Sequence, residues 1–180
     1  MKIIFLGTGE IGLPSLKAIY DSSDHHIISV FTQPDKPFGR KGELKPSEIK
    51  KFAQSKNIPI YQPEKIREQE AIDQLSLGNP DVLVVVAYGQ ILPEAVLRIP
   101  KIACINLHAS LLPLYRGASP IQAAILNGDE QTGLTSMYIA EGLDDGDLLK
   151  SKELIIDQDE TGGSLHDRLA ALGPELLIES

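Results

Sequence analysis

The stretch KIIFLGTGEIGLPSLKAIYDS, residues 2–22, joins an apolar run to a helical pattern through three glycines. Ile3 to Leu6 is too short for a membrane span or a secretory signal and reads as a buried strand. Pro14 to Ser22 carries helical spacing. Between them Gly7, Gly9 and Gly12 form G-x-G-x-x-G, the strand-to-helix context of a dinucleotide-binding turn. That fingerprint also needs an acid at the end of the second strand for a ribose hydroxyl. Here the strand ends Thr32-Gln33-Pro34 before Asp35, and the proline makes Asp35 an awkward ribose ligand. A plain tight turn, or an anion-facing loop at a helix N-terminus, stands beside the dinucleotide reading.

Working outward, Ile27 to Thr32, Ile58 to Tyr61 and Val82 to Val86 are further β-branched runs without polar alternation, as expected for strands covered on both faces. Helical patterns separate them, at Ile49, Phe52 and Ala53 and at Ala71, Ile72 and Leu75. Such alternation predicts an α/β fold with a doubly wound, mostly parallel sheet. Beyond it the sequence predicts a helix near Pro93 to Ile99 and a strand at Ile102 to Leu107. A loop then leads to Pro120, and a helix runs to Asn127 with Gly128 as its stop. Strands at Gly133 to Ile139 and Leu148 to Ile156 follow, with a last helix from near Thr161. No repeat or linker interrupts the 180 residues, so one domain is expected.

Composition bounds the function. Apolar residues at 42% and charged residues at 23% fit a folded globular chain. The formal net charge of -8 argues against nucleic-acid binding through overall charge. A local patch is still available: Asp35 to Lys51 holds six basic residues against three acidic ones. Ile139 to Ser180 runs the other way, with eleven acids against three bases. The single cysteine, Cys104, excludes a disulfide framework and a multi-cysteine metal site, and points to a reducing, cytoplasmic compartment.

Chemistry concentrates at the end of the strand that contains Cys104. Asn106 and His108 alternate onto one face there, where open α/β sheets bind ligands. A structural histidine is one reading; two donors for a shared oxyanion is the other. Further on, Leu143-Asp144-Asp145-Gly146-Asp147 clusters carboxylates in a turn. Turn capping, Ca²⁺ binding without EF-hand spacing, or an aspartate that orients a histidine are the three possibilities.

Together these segments resemble a family. Asn106-Leu107-His108-Ala109-Ser110-Leu111-Leu112-Pro113, then Tyr115-Arg116-Gly117-Ala118-Ser119-Pro120-Ile121, then Gly142 to Asp147, are similar to the folate-dependent formyltransferases. Gln33 to Pro37 with Gly39-Arg40, Ile58 to Pro63 and Val84 to Gly89 resemble most closely the members whose acceptor is methionyl initiator tRNA. The resemblance covers essentially the whole chain and implies a Rossmann-like formyltransferase domain. It implies transfer of a formyl group from 10-formyltetrahydrofolate to the α-amino group of the aminoacyl-tRNA, without a metal. Asn106, His108 and Asp144 match the family's catalytic trio. Ser110, Leu111, Leu112 and Pro113, Tyr88, Gly89, Gln90, Ile91 and Leu92, and Ala140, Glu141, Gly142 and Leu143 match its folate-binding segments. Gly7, Thr8 and Gly9 would then face the acceptor, and Arg40 and Lys41 the tRNA.

In chemical terms the resemblance implies acyl transfer through a tetrahedral intermediate. Asn106 and His108 stabilise its oxyanion, and Asp144 orients His108 and accepts a proton. The family's tRNA enzymes carry a second, C-terminal β-rich domain that residues 1–180 lack, so the chain is expected to be the catalytic domain alone. A monomer is expected, with neither DNA nor a membrane as partner. The alternatives are a formyltransferase for an amino-sugar nucleotide, an NAD-dependent oxidoreductase built on the glycine turn, and a non-catalytic folate- or nucleotide-sensing domain.

Overall fold

The computed structural model describes residues 1–38 and 43–180. Its first strand, β1 (Lys2–Gly7), runs through a 3-10 turn at Glu10–Gly12 into α1 (Leu13–Asp21). There follow β2 (His26–Phe31), the hairpin strands β3 (Lys36–Phe38) and β4 (Glu43–Lys45), α2 (Glu48–Ser55), β5 (Ile60–Tyr61) and α3 (Gln69–Leu77). The second half adds β6 (Val82–Val86), the short α4 (Glu94–Leu97), β7 (Ala103–His108), α5 (Pro120–Asn127), β8 (Gln131–Tyr138), β9 (Leu148–Ile155) and α6 (Gly162–Glu179).

Seven strands make one sheet in the order β5-β2-β1-β6-β7-β8-β9. The five strands from β5 to β7 are parallel, and β8 and β9 continue antiparallel. This is the doubly wound, Rossmann-like α/β architecture. The unbroken β-branched runs have their reason in the two cores. Ile3 and Phe5 of β1 and Val84 and Val86 of β6 join Leu16, Leu165 and Leu169 on one face. Ile4, Leu6, Leu83 and Val85 join Leu75 and Val96 on the other. The order in which strands are added reverses between the parallel neighbours β1 and β6, so their carboxyl ends open a crevice at the switch point.

The segment Asp35 to Lys51, read from sequence as a basic patch, contains the antiparallel pair β3 and β4 and the first turn of α2. α6 starts with a reciprocal cap: Thr161 Oγ1 accepts from Ser164 N at 3.1 Å and Ser164 Oγ accepts from Thr161 N at 3.0 Å. It then continues past Pro174 to Glu179. Cys104 is buried in β7, and burial pushes its thiol up to about 12, so it stays protonated and inert at neutral pH.

Two carboxylates tie distant segments together. Lys50 donates to Asp35 at 2.6 Å and Gln62 at 2.9 Å, holding Asp35 below the usual carboxylate range. The Lys2 backbone N–H at 2.7 Å, followed by Lys101, does the same for Asp81. A carboxyl group depressed in the folded chain contributes stability that is fully present above its unfolded value and is lost as pH falls through the folded one. The urea midpoint is therefore expected to hold from neutrality to about pH 5 and to fall steadily below about pH 4. An unchanged midpoint at pH 3 would show that these ties contribute nothing.

Candidate active site

At the carboxyl ends of β1, β6 and β7 lies a cleft of about 750 Å³. Asn106 and His108 close β7 on the same side of the strand, opposite Met137 and Thr135 of β8. Both line the cleft, as does Asp144. Asp144 arrives from the β8–β9 connection in a left-handed conformation, φ 46°, which brings its Oδ2 to 3.4 Å from His108 Nδ1. The same oxygen accepts from the Gly117 N–H at 2.7 Å. On the other edge of the imidazole, Nε2 lies 2.8 Å from the Tyr115 carbonyl oxygen. Both ring nitrogens thus face acceptors; an imidazolium donates to both, a neutral ring to one. Among the described residues none hydrogen-bonds the Asn106 side chain, which leaves its amide free toward the cleft.

Of the segments picked out for folate, Tyr88 to Leu92 and Ala140 to Leu143 line the cleft. Ile91 and Leu143 are 85% and 64% exposed, giving the cleft apolar lips. Gly89 is a position only glycine fits: its φ is +81°, and a Cβ would stand 2.3 Å from Gln33 Nε2. Ser110, Leu111, Leu112 and Pro113 lie behind the cleft rather than among the residues that line it. Ser110 is fully buried and its hydroxyl donates to the Leu114 carbonyl at 2.5 Å. The Leu112 N–H donates to Thr135 Oγ1 at 3.1 Å, and that hydroxyl donates on to the Ser110 carbonyl at 2.7 Å. These residues buttress the loop that carries Tyr115 and Gly117.

The glycine turn divides. Gly9 lines the cleft, Thr8 lines a neighbouring hollow of about 200 Å³, and Gly7 lies on the Phe5 ring. The N–H groups of Thr8 and Gly9 both donate to the Ala87 carbonyl at 3.2 Å. They are therefore not presented to a pyrophosphate, and Asp35 is engaged by Lys50 and Gln62. Neither half of the dinucleotide fingerprint has its donor or acceptor free. Arg40 and Lys41 lie outside the described residues. Among the described residues no group of three or more metal-ligating side chains converges, Asp144, Asp145 and Asp147 included. No helix among them is long and apolar enough to cross a membrane.

Sequence reasoning missed the Tyr115 carbonyl and the Gly117 N–H, the groups that hold His108 and Asp144. Backbone groups carry no residue label, so no pattern announces them. It also missed Gln122 and His166, which line the cleft from α5 and α6.

Tyr88 is 1% exposed and its hydroxyl has no partner among the described residues; burial pushes the phenol up to about 12. A buried unpartnered hydroxyl costs about 1–3 kcal/mol. Tyr88→Phe is accordingly expected to leave Tm unchanged or raised in a thermal melt; a clear drop would mean that a bound water satisfies the hydroxyl.

The sequence model of the family described as formyl transferase matches residues 1–180. A methionyl-tRNA formyltransferase of Clostridioides difficile is 52% identical over 180 residues, all of this chain and 58% of that protein. One of Alkaliphilus oremlandii is 50% identical over 177 residues, 98% of this chain and 57% of that protein. The chain thus spans under two thirds of the length of these curated relatives. Among solved structures, a phosphoribosylglycinamide formyltransferase from Bacillus halodurans superposes with a TM-score of 0.81 at 20% identity, covering 98% of this chain and 91% of that one. A sugar N-formyltransferase from Shewanella sp. FDAARGOS_354 gives 0.74 at 17%, covering 99% and 67%. At such identity these two establish the fold.

Proposed function

The chain belongs to the formyl transferase family, and we propose that it transfers a formyl group from 10-formyltetrahydrofolate to the α-amino group of methionyl initiator tRNA. The observation that carries this is the meeting of Asn106, His108 and Asp144 on one wall of the cleft, with His108 and Asp144 3.4 Å apart. The acceptor rests on the relatives about half identical in sequence, whose names specify methionyl-tRNA. Residues 1–180 are on this reading the catalytic domain, and the β-rich domain that helps hold tRNA lies outside them.

The cleft volume suits a substrate of two ring systems, and its apolar lips suit a flat heterocycle. The neutral amine attacks the formyl carbon, a C–N bond forms and the carbonyl oxygen becomes an oxyanion. The Asn106 amide donates to it. His108 Nε2 turns its hydrogen bond from the Tyr115 carbonyl to the oxyanion, because a charged acceptor binds a donor about twice as strongly as a neutral one. Asp144 holds the imidazole in register, and takes the amine's proton through water. The oxyanion then collapses to the carbonyl of the new formamide as the bond from carbon to the folate nitrogen breaks, and the proton held by Asp144 passes back through water to that nitrogen.

A calorimetric titration with 5-formyltetrahydrofolate, an unreactive mimic of the donor, tests the folate site, with NAD as the control. Saturable folate binding without NAD binding is expected; NAD binding alone overturns the reading. Turnover with methionyl-tRNA but not with amino-sugar nucleotides is expected of the acceptor side. Arg40→Ala should weaken tRNA use and flatten its salt dependence while sparing folate binding. An unchanged rate and salt slope in that variant removes the basic segment from the account.

A further inference from the structure

The hydrogen bonds around His108 and Asp144 lead outward to a tyrosine that contacts neither side chain with its ring. Tyr115 Oη donates to Asp129 Oδ2 at 2.6 Å and accepts from Asn127 Nδ2 at 2.9 Å. Asn127 ends α5, and Asp129 follows the left-handed Gly128 at φ 67°, so both partners project from the rigid turn between α5 and β8. The Tyr115 backbone is itself left-handed, φ 54°, which a side-chain-bearing residue keeps only when its surroundings impose it.

Two backbone groups inside three residues then grip His108 and Asp144. The Tyr115 carbonyl takes His108 Nε2 at 2.8 Å, and the Gly117 N–H holds Asp144 Oδ2 at 2.7 Å. A shift of the Tyr115–Gly117 segment would displace both side chains together. We propose that Tyr115, clamped by Asp129 and Asn127, is a positioning residue that sets the orientation of His108 and Asp144 relative to the cleft. The proposal rests on the reading of that pair as the reaction centre. The Asp129 carboxylate holds the phenol above its ordinary range, so the clamp keeps its donor throughout neutral pH.

The clamp lies outside the cleft wall: neither Tyr115, Asn127 nor Asp129 lines it. Its loss should therefore affect the chemical step and spare substrate binding. Tyr115→Phe is expected to lower kcat about tenfold, a fraction of the roughly 100-fold that a 1 Å misplacement can cost, with KM for the formyl donor within about twofold of wild type. Asp129→Ala should do the same. Asp129→Asn, which keeps an acceptor oxygen, should retain most of the rate.

A readout independent of turnover is the hydrogen-bonded imidazole proton of His108 in a proton–nitrogen NMR spectrum. With four histidines in the chain, its assignment follows from the signal missing in His108→Ala. The protected signal should be present in wild type and Asp129→Asn, and broadened or lost in Tyr115→Phe. Persistence of the signal in Tyr115→Phe, its absence from wild type, or its loss without any fall in kcat each overturns the proposal. So does a joint fall in kcat and rise in KM with a lowered Tm, which would mean structural support alone. If wild type transfers no formyl group while the signal still depends on Tyr115, the functional reading fails and the clamp on His108 stands.

Discussion

His108→Ala is expected to lower formyl transfer by at least about 10³-fold while leaving the affinity for 5-formyltetrahydrofolate within a few-fold of wild type. On the proposed mechanism the imidazole supplies a donor to the oxyanion and is the group that Asp144 orients. Losing one such donor costs about 10²- to 10³-fold, and a disrupted proton path adds to it. The cleft-lining segments Tyr88 to Leu92 and Ala140 to Leu143, proposed to hold the folate, do not depend on the ring, so binding should survive. Asp144→Ala is expected to follow the same pattern, with an additional loss of order in the loop that Gly117 anchors to it. Steady-state rates and calorimetry on each variant make the check. Near-normal turnover by either would remove the pair from the reaction.

Phe5→Ala carries the largest expected cost in stability, about 3–5 kcal/mol. The ring is fully buried in the middle of β1. It also supports the glycine turn from below: a Cβ on Gly7 would stand 2.5 Å from Phe5 Cε1, and one on Gly12 3.3 Å from Cζ. Emptying that space leaves a cavity at the crossing of β1, β6 and the 3-10 turn, where neighbours anchored in the sheet cannot collapse to fill it. At about 2–4 °C per kcal/mol for a chain of this size, Tm should fall by roughly 6–20 °C. A fall of under about 2 °C by calorimetry would mean that the site repacks. The turn should loosen as well, giving weaker donor binding even below Tm.

Much of this architecture is legible because burial on both faces writes itself into composition. Val82 to Val86 is apolar at every position, and only a central parallel strand between two helical layers needs that. The leucines at 165, 169, 172 and 176 mark the inner face of α6 in the same way. The β3–β4 hairpin escapes because its strands are three residues each and hold lysines and a proline. In the site, Asn106 and His108 follow from strand alternation alone. Their meeting with Asp144 does not, since it depends on β8 lying beside β7 and on a left-handed residue after it. Ser110 to Pro113 are matched to folate by resemblance alone; nothing in their pattern announces that Thr135 ties the segment inward.

The sheet ends differently on its two sides, and this bears on how the protein behaves when concentrated. On one side the terminal strand, β5, has two residues, too few to template a foreign strand. On the other side β9 is eight residues long and, among the described residues, pairs with no strand but β8, so its outer edge is long enough to recruit one. That rim is guarded by Lys150 and Lys152, whose ammonium groups are tethered to Glu179 and Glu175 of α6. An incoming strand would have to strip two paired charges from water before gaining its ladder. Neutralising both lysines should accordingly favour edge-to-edge assembly, without altering the interior at all.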